Sequence, residues 1–507
     1  MPDHATPIST LRTLLREKAV LGSVGSVVGW DEQTQLPPAG TDLRADQSSL
    51  LARLMHERAT SAQLGTAIAD AEAASPEGDE AVIVREARRD YDRATKLPTR
   101  LVEELARAEV KGHAAWVEAR KNDDFAAFVP HLETMLKLKR EEADCVGHPH
   151  HDDDPYAALL DDYEPGESPA YLDEVFASLK GPLVDLVGRI NDSGKTPRRE
   201  LLTRSFPVDA QRELSTKAAK AIGFEFNAGR LDVAVHPFCS GFGPGDTRMT
   251  TRFFEHDLGN SFFSTLHETG HALYEQNLPK AEHFGTALGE SVSLGIHESQ
   301  SRLWENLVGR SPAFWQYLWP TAQELFPEAL GGESMDDFVF ATNDVRPSFI
   351  RTESDEATYN LHVLLRFEIE RALLSGDLSV ADLPGAWDEK MDAYLGIKPD
   401  KASNGCLQDV HWSAGLIGYF PTYTLGNVYA SCLFDKVTDA LGGQAERDAL
   451  FARGEFRPLL DWLIDNVHHH GKRHAARDLV EKATGSKPTV EPLLTHLQEK
   501  ASLYYGV

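Results

Sequence analysis

Helical periodicity dominates the sequence and limits the folds that are open to it. From Thr10 to about Leu179, apolar residues recur at intervals of three and four, interrupted by stretches rich in proline and glycine. This pattern predicts successive antiparallel helices. Between Leu231 and Asp257, two alternating runs, LDVAVHPF and DTRMTTRFF, flank the turn-rich SGFGPG. We therefore expect a mainly α protein with one small β-hairpin, whose edge is available to an extended peptide.

Length and composition indicate a large globular protein. The 507 residues are enough for one large interior or for two lobes around a cleft. Hydrophobic residues make up 41% and charged residues 26%, so disordered and fibrous classes are excluded. The net charge of −28 disfavours nucleic acid as a partner, because phosphate binding requires clustered lysine and arginine.

Cysteine usage and hydropathy bear on the compartment. Only four cysteines occur, and none forms a CxxC pair, which fits a reducing environment. The N-terminal segment does not have the basic and apolar regions of a signal peptide, and no run of about 18 apolar residues occurs. We expect a cytoplasmic protein that does not insert into a membrane.

The pentapeptide His267-Glu268-Thr269-Gly270-His271 carries the clearest chemistry in the chain. Residues four apart share a helical face, so His267 and His271 are able to bind one metal ion with Glu268 beside it. Asn260 is a suitable N-cap for this helix, and Pro279 is suited to end it. The structural alternative is two surface histidines on an amphipathic helix.

A catalytic zinc ion requires a third protein ligand and one open position for water. Carboxylates in the following helical stretch can supply that ligand, and Gly289 and Gly309 mark the expected ends of the stretch. Four glutamates compete for the role: Glu282, Glu290, Glu298 and Glu305. Each of them is equally able to be a solvated helix residue. His267 and His271 are thus predicted as metal ligands, with the third ligand open among these carboxylates.

Five motifs in order make the sequence resemble the carboxypeptidase Taq family of metallocarboxypeptidases. They are HPF at 236–238, DxRxT at 246–250, HExxH at 267–271, HES at 297–299 and GxxQDxHW at 405–412. The resemblance extends nearly end to end through VGWDEQTQLPPAG, YAALLDDYEPG and IRTESDEATYNLHV. Leu36 departs from it, since methionine is expected there, but this position has no catalytic part.

The resemblance implies a fold, an activity and a ligand set. It implies one helical peptidase domain spanning residues 1–507 with a deep central groove, a homodimer, and release of single residues from peptide C-termini. It also implies one divalent metal per chain, zinc or else cobalt, and it selects Glu298 of the HES motif as the third ligand. His297, its neighbour on the helix, points about 100° away and is expected behind the ligands rather than among them.

Catalytic and substrate-binding roles follow from this assignment. Glu268 is expected to act as general base and then to pass the proton to the leaving amine. An arginine is suited to bind the free C-terminal carboxylate of a substrate. Arg351 is the preferred candidate. Arg248 is the other candidate, and Asp246, on the same face of the predicted strand, is expected to orient it. The alternative for each arginine is a structural ion pair.

The remaining candidates lie in or near the other motifs. Gln408, a candidate substrate contact, is expected to share a helical face with His411 or Trp412. His411 is the catalytic candidate here, and Asp409 is able to fix its tautomer. Tyr423 is a candidate donor to the oxyanion, and His236, before a proline, is expected to line the groove. Two other His-rich stretches, 148–154 and 467–474, are interpreted as loops or helix ends.

Two other functions remain open at the level of sequence. An oligopeptidase or other endopeptidase uses the same HExxH chemistry but does not require a carboxylate pocket. A zinc-stabilised peptide-binding scaffold without catalysis is the other alternative. The presence of Glu268 argues against it, because a structural zinc site does not need a base.

Overall fold

The computed structural model describes residues 6–147 and 154–507, and most of these residues are helical. The helices before the sheet are α1 (Pro7–Thr34), α2 (Thr41–Ala59), α3 (Ala62–Ala73), α4 (Gly78–Lys96), α5 (Thr99–Asn122), α6 (Phe125–Val146), α7 (Pro155–Leu160), α8 (Pro169–Asp192) and α9 (Val208–Ile222). The helices after it are α10 (Leu258–Asn277), α11 (Lys280–His283), α12 (Leu294–Arg302), α13 (Pro312–Leu325), α14 (Pro327–Leu330), α15 (Met335–Thr342), α16 (Glu356–Ser375), α17 (Leu383–Leu395), α18 (Pro421–Ala440), α19 (Gln444–Ala452), α20 (Arg457–Asn466), α21 (Ala476–Thr484) and α22 (Glu491–Tyr505). The prediction of a mainly α protein is confirmed.

The sheet has three strands, β1 (Gly229–Val233), β2 (Cys239–Gly243) and β3 (Asp246–Thr251), in the order β1-β3-β2. β2 and β3 form an antiparallel hairpin, whereas β1 pairs with β3 in parallel. The predicted hairpin is therefore wrong in detail. The segment interpreted as its turn contributes β2, and the run before that segment pairs with β3 from the opposite side.

The sheet lies against α10, the helix that carries the HExxH motif. The Thr269 hydroxyl donates to Sδ of Met249 at 3.4 Å, and the hydroxyls of Thr251 and Ser264 lie 2.7 Å apart. Both contacts join β3 to α10. The predicted position of the small sheet beside this helix is confirmed.

Two glycines allow α12 to pack closely between α10 and α18. A Cβ atom on Gly270 of α10 would lie 2.5 Å from the carbonyl oxygen of Gln300 in α12. A Cβ atom on Gly426 of α18 would lie 2.5 Å from Cγ of Glu298. Real Cβ atoms do not approach other atoms so closely, so any larger residue would force the helices apart. The position of Glu298 beside the HExxH helix thus depends on small residues in both neighbours.

The ends of α10 and α12 follow from local capping. The side chain of Asp257 accepts from the backbone N–H of Asn260, and the side chain of Ser293 accepts from that of Ile296. Asn260 is therefore not the N-cap of α10, because Asp257 begins the helix one turn earlier. α10 ends at Asn277, before Pro279 as predicted, and α12 begins at Leu294 rather than near Gly289.

Buried apolar residues form two clusters in the described part of the chain. The large one joins α5–α10 to the helices of the C-terminal half. The smaller one joins α1, α3 and α4 and includes Leu288 from the segment between α11 and α12. Among the described helices, none is both long enough and apolar enough to cross a membrane.

Candidate active site

Three potential metal ligands converge between α10 and α12. His267 and His271 lie on one face of α10, and their Nε2 atoms are 3.6 and 3.5 Å from Oε2 of Glu298. Ligand atoms about 2.1 Å from a tetrahedral zinc ion lie about 3.4 Å from one another. Both distances from Glu298 to the histidines are therefore close to this value, and the three ligand atoms all lie within 4.8 Å of one another.

The other ring nitrogen of each histidine, Nδ1, has a hydrogen-bond partner. Nδ1 of His267 lies 2.9 Å from Oε2 of Glu305, and Nδ1 of His271 lies 3.0 Å from the backbone carbonyl oxygen of His297. A proton on Nδ1 that is donated to these acceptors leaves the lone pair on Nε2. Both Nε2 lone pairs then face Glu298, so the donor set fits a divalent metal.

Burial acts against charge on His271. Together with the neighbouring His297, it lowers the pKa of His271 to about 3, so the ring is neutral. Burial also favours neutral His267, but the carboxylates of Glu298 and Glu305 outweigh it and raise the pKa of that ring. A proton and a metal ion therefore compete for the same lone pairs, those of the two Nε2 atoms and of Oε2 of Glu298.

Glu305 lies behind His267 because the helix changes its winding there. α12 continues as a π-helix over Leu303–Val308. Its wider turns place Glu305 where Oε2 meets His267 and where Oε1 accepts from Nη2 of Arg310 at 3.1 Å. Burial would raise the pKa of Glu305, but the His267 hydrogen bond and the charge of Arg302 bring it to about 2. This competing carboxylate therefore contacts Nδ1 of His267, on the side of the ring opposite to the Nε2 atom that faces Glu298.

Two neighbours on α12 fix the orientation of Glu298. Nε of Arg302 donates to Oε1 at 2.6 Å, and Oγ of Ser301 donates to Oε2 at 3.2 Å. Burial would raise the pKa of Glu298, but Arg302 and His267 hold it well below its usual range. Glu298 is thus an ionised carboxylate whose Oε2 is directed at the two histidines.

Glu268 is a buried carboxyl group next to these ligands. It is 6% exposed, and burial raises its pKa to about 7 despite the favourable charge of His267. A bound divalent cation would act in the opposite direction and favour the ionised form. Burial and a bound cation thus have opposite effects on the charge of this carboxyl group.

A group of aromatic residues forms a second wall of the site. Nε2 of His411 lies 3.2 Å from the Tyr423 hydroxyl, and the ring of Tyr419 packs edge to face against both side chains. The Arg302 guanidinium lies over the ring of Tyr359, 4.3 Å from its centroid. Arg302 therefore connects this wall to Glu298.

Arg351 is buried in an ionic cluster at the same wall. Nε and Nη2 donate to Oδ1 of Asp409 at 3.1 and 2.9 Å, and Nη1 donates to the Tyr359 hydroxyl at 2.9 Å. Arg366 donates to the other oxygen of Asp409 at 2.6 Å. Gln408 accepts from the backbone N–H of Arg351 and from Nη2 of Arg366. Two guanidinium groups thus share one carboxylate, which leaves the cluster with a net positive charge.

The GxxQDxHW segment differs from its predicted structure. Short 3₁₀ turns cover Ala402–Asn404 and His411–Ala414, so Gln408 and His411 do not share a continuous helical face. Asp409 lies 3.9 Å from Nδ1 of His411 and does not fix its tautomer, because its oxygens accept from two arginines instead. The close polar partner of His411 is Tyr423.

Arg248 and His236 lie on the sheet side of the site. Asp246 holds Arg248 through two hydrogen bonds of 2.8 Å, as expected from the alternation along β3. The guanidinium of Arg248 also lies over the rings of Phe242 and Trp30. His236 is exposed, and its carbonyl oxygen accepts from Thr250 at 3.4 Å. The hydrogen bonds of both residues are thus with the sheet rather than with the three ligand side chains.

The His-rich stretch at 467–474 is built into the fold. His468 is fully buried, and its Nε2 lies 2.9 Å from Oε1 of Gln300. His470 and His474 pack ring against ring with centroids 5.5 Å apart. Residues 148–153 of the other His-rich stretch lie outside the described part of the chain.

Several residues around the ligands were not identified from sequence. Arg302, four residues after Glu298, and Glu275, four residues after His271, had the spacing of helical neighbours. That spacing was the available signal for both. Tyr359 and Arg366 carried no comparable signal, because their partners come from other elements. Taken together, the HExxH helix, the Glu298 carboxylate and the buried Glu268 are typical of metal-dependent peptidases.

Comparison with known proteins narrows this class. The family model of carboxypeptidase Taq (M32) metallopeptidases matches residues 10–501. Thermostable carboxypeptidase 1 of Thermus thermophilus is 48% identical over 99% of this chain and 100% of that relative. Carboxypeptidase 1 of Bacillus subtilis is 39% identical over 97% of each chain. The chain therefore belongs to the carboxypeptidase Taq (M32) family and is a metallocarboxypeptidase, a hydrolase that acts on peptides.

Solved structures agree with this assignment. The M32 carboxypeptidase of Deinococcus radiodurans superimposes with a TM-score of 0.93 at 40% identity, covering 98% of this chain and 99% of that one. A Pyrococcus furiosus carboxypeptidase gives a TM-score of 0.93 at 34% identity, covering 97% and 98%. The described part of the chain thus has the fold of the family.

Proposed function

We propose that the protein releases single residues from peptide C-termini with one zinc ion held by His267, His271 and Glu298. The observation that carries the proposal is that Oε2 of Glu298 lies 3.6 and 3.5 Å from the Nε2 atoms of His267 and His271, while both Nδ1 atoms have hydrogen-bond partners. Two imidazoles and one carboxylate are a typical ligand set of catalytic zinc. Cobalt is the alternative ion, because the same donors accept it.

The chain's own groups divide the chemistry between them. When bound, the metal supplies Lewis-acid activation of a water molecule and of the scissile carbonyl. Glu268, a buried carboxyl group adjacent to His267, takes the proton from the attacking water and later gives it to the leaving amine. Tyr423, with its hydroxyl 3.2 Å from Nε2 of His411, donates to the oxyanion that forms on the substrate.

Recognition of the substrate carboxylate is assigned to Arg351. Arg351 and Arg366 share one carboxylate, that of Asp409, so their cluster has one positive charge in excess. The pair of Arg248 with Asp246 is neutral by the same count. A buried cluster of excess positive charge attracts an anion more strongly than a neutral pair does. Nη1 of Arg351 now meets the Tyr359 hydroxyl, which a substrate carboxylate is able to replace.

Gln408, Arg248 and His236 are assigned supporting roles in substrate binding. Gln408 accepts from the backbone N–H of Arg351 and from the guanidinium of Arg366, and so holds the backbone of Arg351 beside Arg366. Arg248 and His236, at the sheet, are proposed to contact the peptide farther from its C-terminus. The two arginines are given different roles because Arg351 lies at the aromatic wall, whereas Arg248 lies on the sheet.

Free-acid and amidated versions of one peptide test the activity and the arginine assignment together. Wild-type protein is expected to prefer the free acid, and Arg351→Gln should reduce that preference by at least about 30-fold, which corresponds to about 2 kcal/mol. Arg248→Gln is the matched control and should retain the preference. The ratio of kcat/KM for the two peptides is the measurement, because partial unfolding lowers both values equally.

Two results would contradict these proposals. Equal cleavage of both peptides by the wild type would favour an endopeptidase. Loss of the preference in the Arg248 variant alone would reverse the assignment of the two arginines.

A homodimer in the cytoplasm is the proposed state of the protein. Exposed apolar side chains on α1 and α2 support a subunit interface: Val20, Val24, Val27, Leu43 and Leu50. The cysteines are free thiols, which supports a reducing compartment. Light scattering is expected to give twice the chain mass of 56.0 kDa, and Val24→Asp should shift the mass towards one chain. A single-chain mass for the wild type would contradict the dimer.

A further inference from the structure

A chain of polar side chains lies on the Nδ1 side of the His271 ring, opposite to the Nε2 atom that faces Glu298. His297 precedes the ligand Glu298 on α12, whereas Glu275 and Lys280 follow the HExxH motif. The three side chains are 18%, 15% and 11% exposed. Glu268, His411 and the arginine cluster do not take part in this chain, so the proposed mechanism leaves it without a role.

The contacts run in one line from the ligand to the lysine. Nδ1 of His271 lies 2.6 Å from Nδ1 of His297, and Nε2 of His297 lies 2.9 Å from Oε1 of Glu275. The other oxygen of Glu275 pairs with Nζ of Lys280. β2 leaves room for this pair, because a Cβ atom on Gly241 would lie 2.0 Å from Oε2 of Glu275. The chain is therefore built into the contact between α10 and β2.

The positions of the protons follow from these contacts. Glu275 pairs with Lys280 as a carboxylate, so the hydrogen between it and His297 is on Nε2 of His297. A neutral His297 with its proton on Nε2 presents an unprotonated Nδ1 to His271. Two N–H groups cannot face each other at 2.6 Å, so His271 carries the proton on its own Nδ1 and donates it to His297. The lone pair of His271 is then on Nε2, the nitrogen that faces Glu298.

We propose that His297 is a positioning residue for the metal centre. It accepts the Nδ1 proton of His271, and Glu275 and Lys280 fix the tautomer that allows it to do so. The inference rests on the proposed ligand set and deepens it. A carboxylate at the end of such a chain increases the basicity of the ligand histidine and holds the plane of its ring.

The two ligand histidines then differ in a testable way. His267 donates directly to a carboxylate, that of Glu305, whereas His271 donates to a neutral ring and to the carbonyl oxygen of His297. The carbonyl remains in any variant of His297. A comparison of side chains at position 297 therefore isolates the contribution of the ring nitrogen.

Substitution of His297 by asparagine or by glutamine distinguishes the contributions of its two ring nitrogens. Counted from Cβ, Oδ1 of asparagine takes the place of Nδ1, whereas the amide nitrogen of glutamine takes the place of Nε2. His297→Asn retains an acceptor for His271, and His297→Gln retains only the donor to Glu275. His56→Gln, on the exposed face of α2, is the control for general effects of the substitution.

Cobalt binding measures the consequence. With a competing chelator, we expect wild type, His56→Gln and His297→Asn to bind cobalt with similar affinity, and His297→Gln to bind it about 10-fold more weakly. In proton spectra of the cobalt-loaded wild type, each ligand histidine should give one shifted, solvent-exchangeable Nδ1–H signal. The signal of His271 should move and exchange faster in His297→Gln, whereas that of His267 should not change.

The outcomes separate this inference from the ligand assignment. If the wild type itself holds no cobalt, the proposed ligand set fails. If the wild type holds cobalt and His297→Gln binds it equally tightly with an unchanged His271 signal, the role of His297 alone is overturned. An equal loss in the Asn and Gln variants would also overturn it, because the acceptor nitrogen would then not be the cause. Melting temperatures of the metal-free variants identify any loss that comes from unfolding.

Discussion

Replacing Glu268 with glutamine should lower kcat by about 10³-fold while one metal ion per chain remains bound. The amide retains the size of the side chain but cannot accept the proton of the attacking water. Glu268 is not among the three converging ligands, so its replacement should leave their geometry intact. Peptide hydrolysis and metal content, measured on the same preparation, check both parts of this expectation.

Controls distinguish loss of the base from loss of the site. Glu290, an exposed carboxylate paired with Lys472, lies in the same part of the chain, so Glu290→Gln is a suitable control and should retain full activity. The expectation for Glu268 fails if its glutamine variant loses the metal. It fails equally if that variant retains most of its activity.

The second large effect is loss of the metal itself from variants of the three ligands. His267→Ala, His271→Ala and Glu298→Ala should each reduce the metal content from one ion per chain to near zero after dialysis, with loss of turnover. Two remaining ligands hold a divalent ion much more weakly than three do. Elemental analysis of the dialysed proteins is the measurement.

Glu298 is the most informative of these positions. Glu298→Ala removes a ligand and also leaves the guanidinium of Arg302 without its closest partner. Glu298→Gln retains a hydrogen-bonding side chain there and should bind the metal more weakly than the wild type but more tightly than Glu298→Ala. Glu305→Gln is the matched comparison, since Glu305 contacts His267 from behind. A normal metal content in Glu298→Ala would contradict the ligand choice.

The closeness of the two motif histidines was predictable from the sequence because it depends on local geometry. A spacing of four residues on a helix brings His267 and His271 to one face in any fold. The resemblance to a family then selected Glu298 among four carboxylates. Between the ligand helices, by contrast, the distance is set by Gly270 and Gly426, whose close contacts join residues far apart in the chain.

What the sequence did not predict depends on tertiary partners. The alternation of two runs predicted strands, but the parallel pairing of β1 with β3 depends on how the loop between them packs. Gln408 and His411 had helical spacing, yet the segment forms 3₁₀ turns around the shared Asp409 carboxylate. The π-helix that brings Glu305 behind His267 carries no sequence signal that we recognise.

Anomalous diffraction at the zinc absorption edge, from crystals of the metal-loaded protein, tests the central claim most directly. We expect one strong peak per chain, about 2.0–2.2 Å from Nε2 of His267, Nε2 of His271 and Oε2 of Glu298. Glu268 should lie beside the peak without being a ligand. A principal peak at any other cluster, or one coordinated by Glu305 in place of Glu298, would contradict the account.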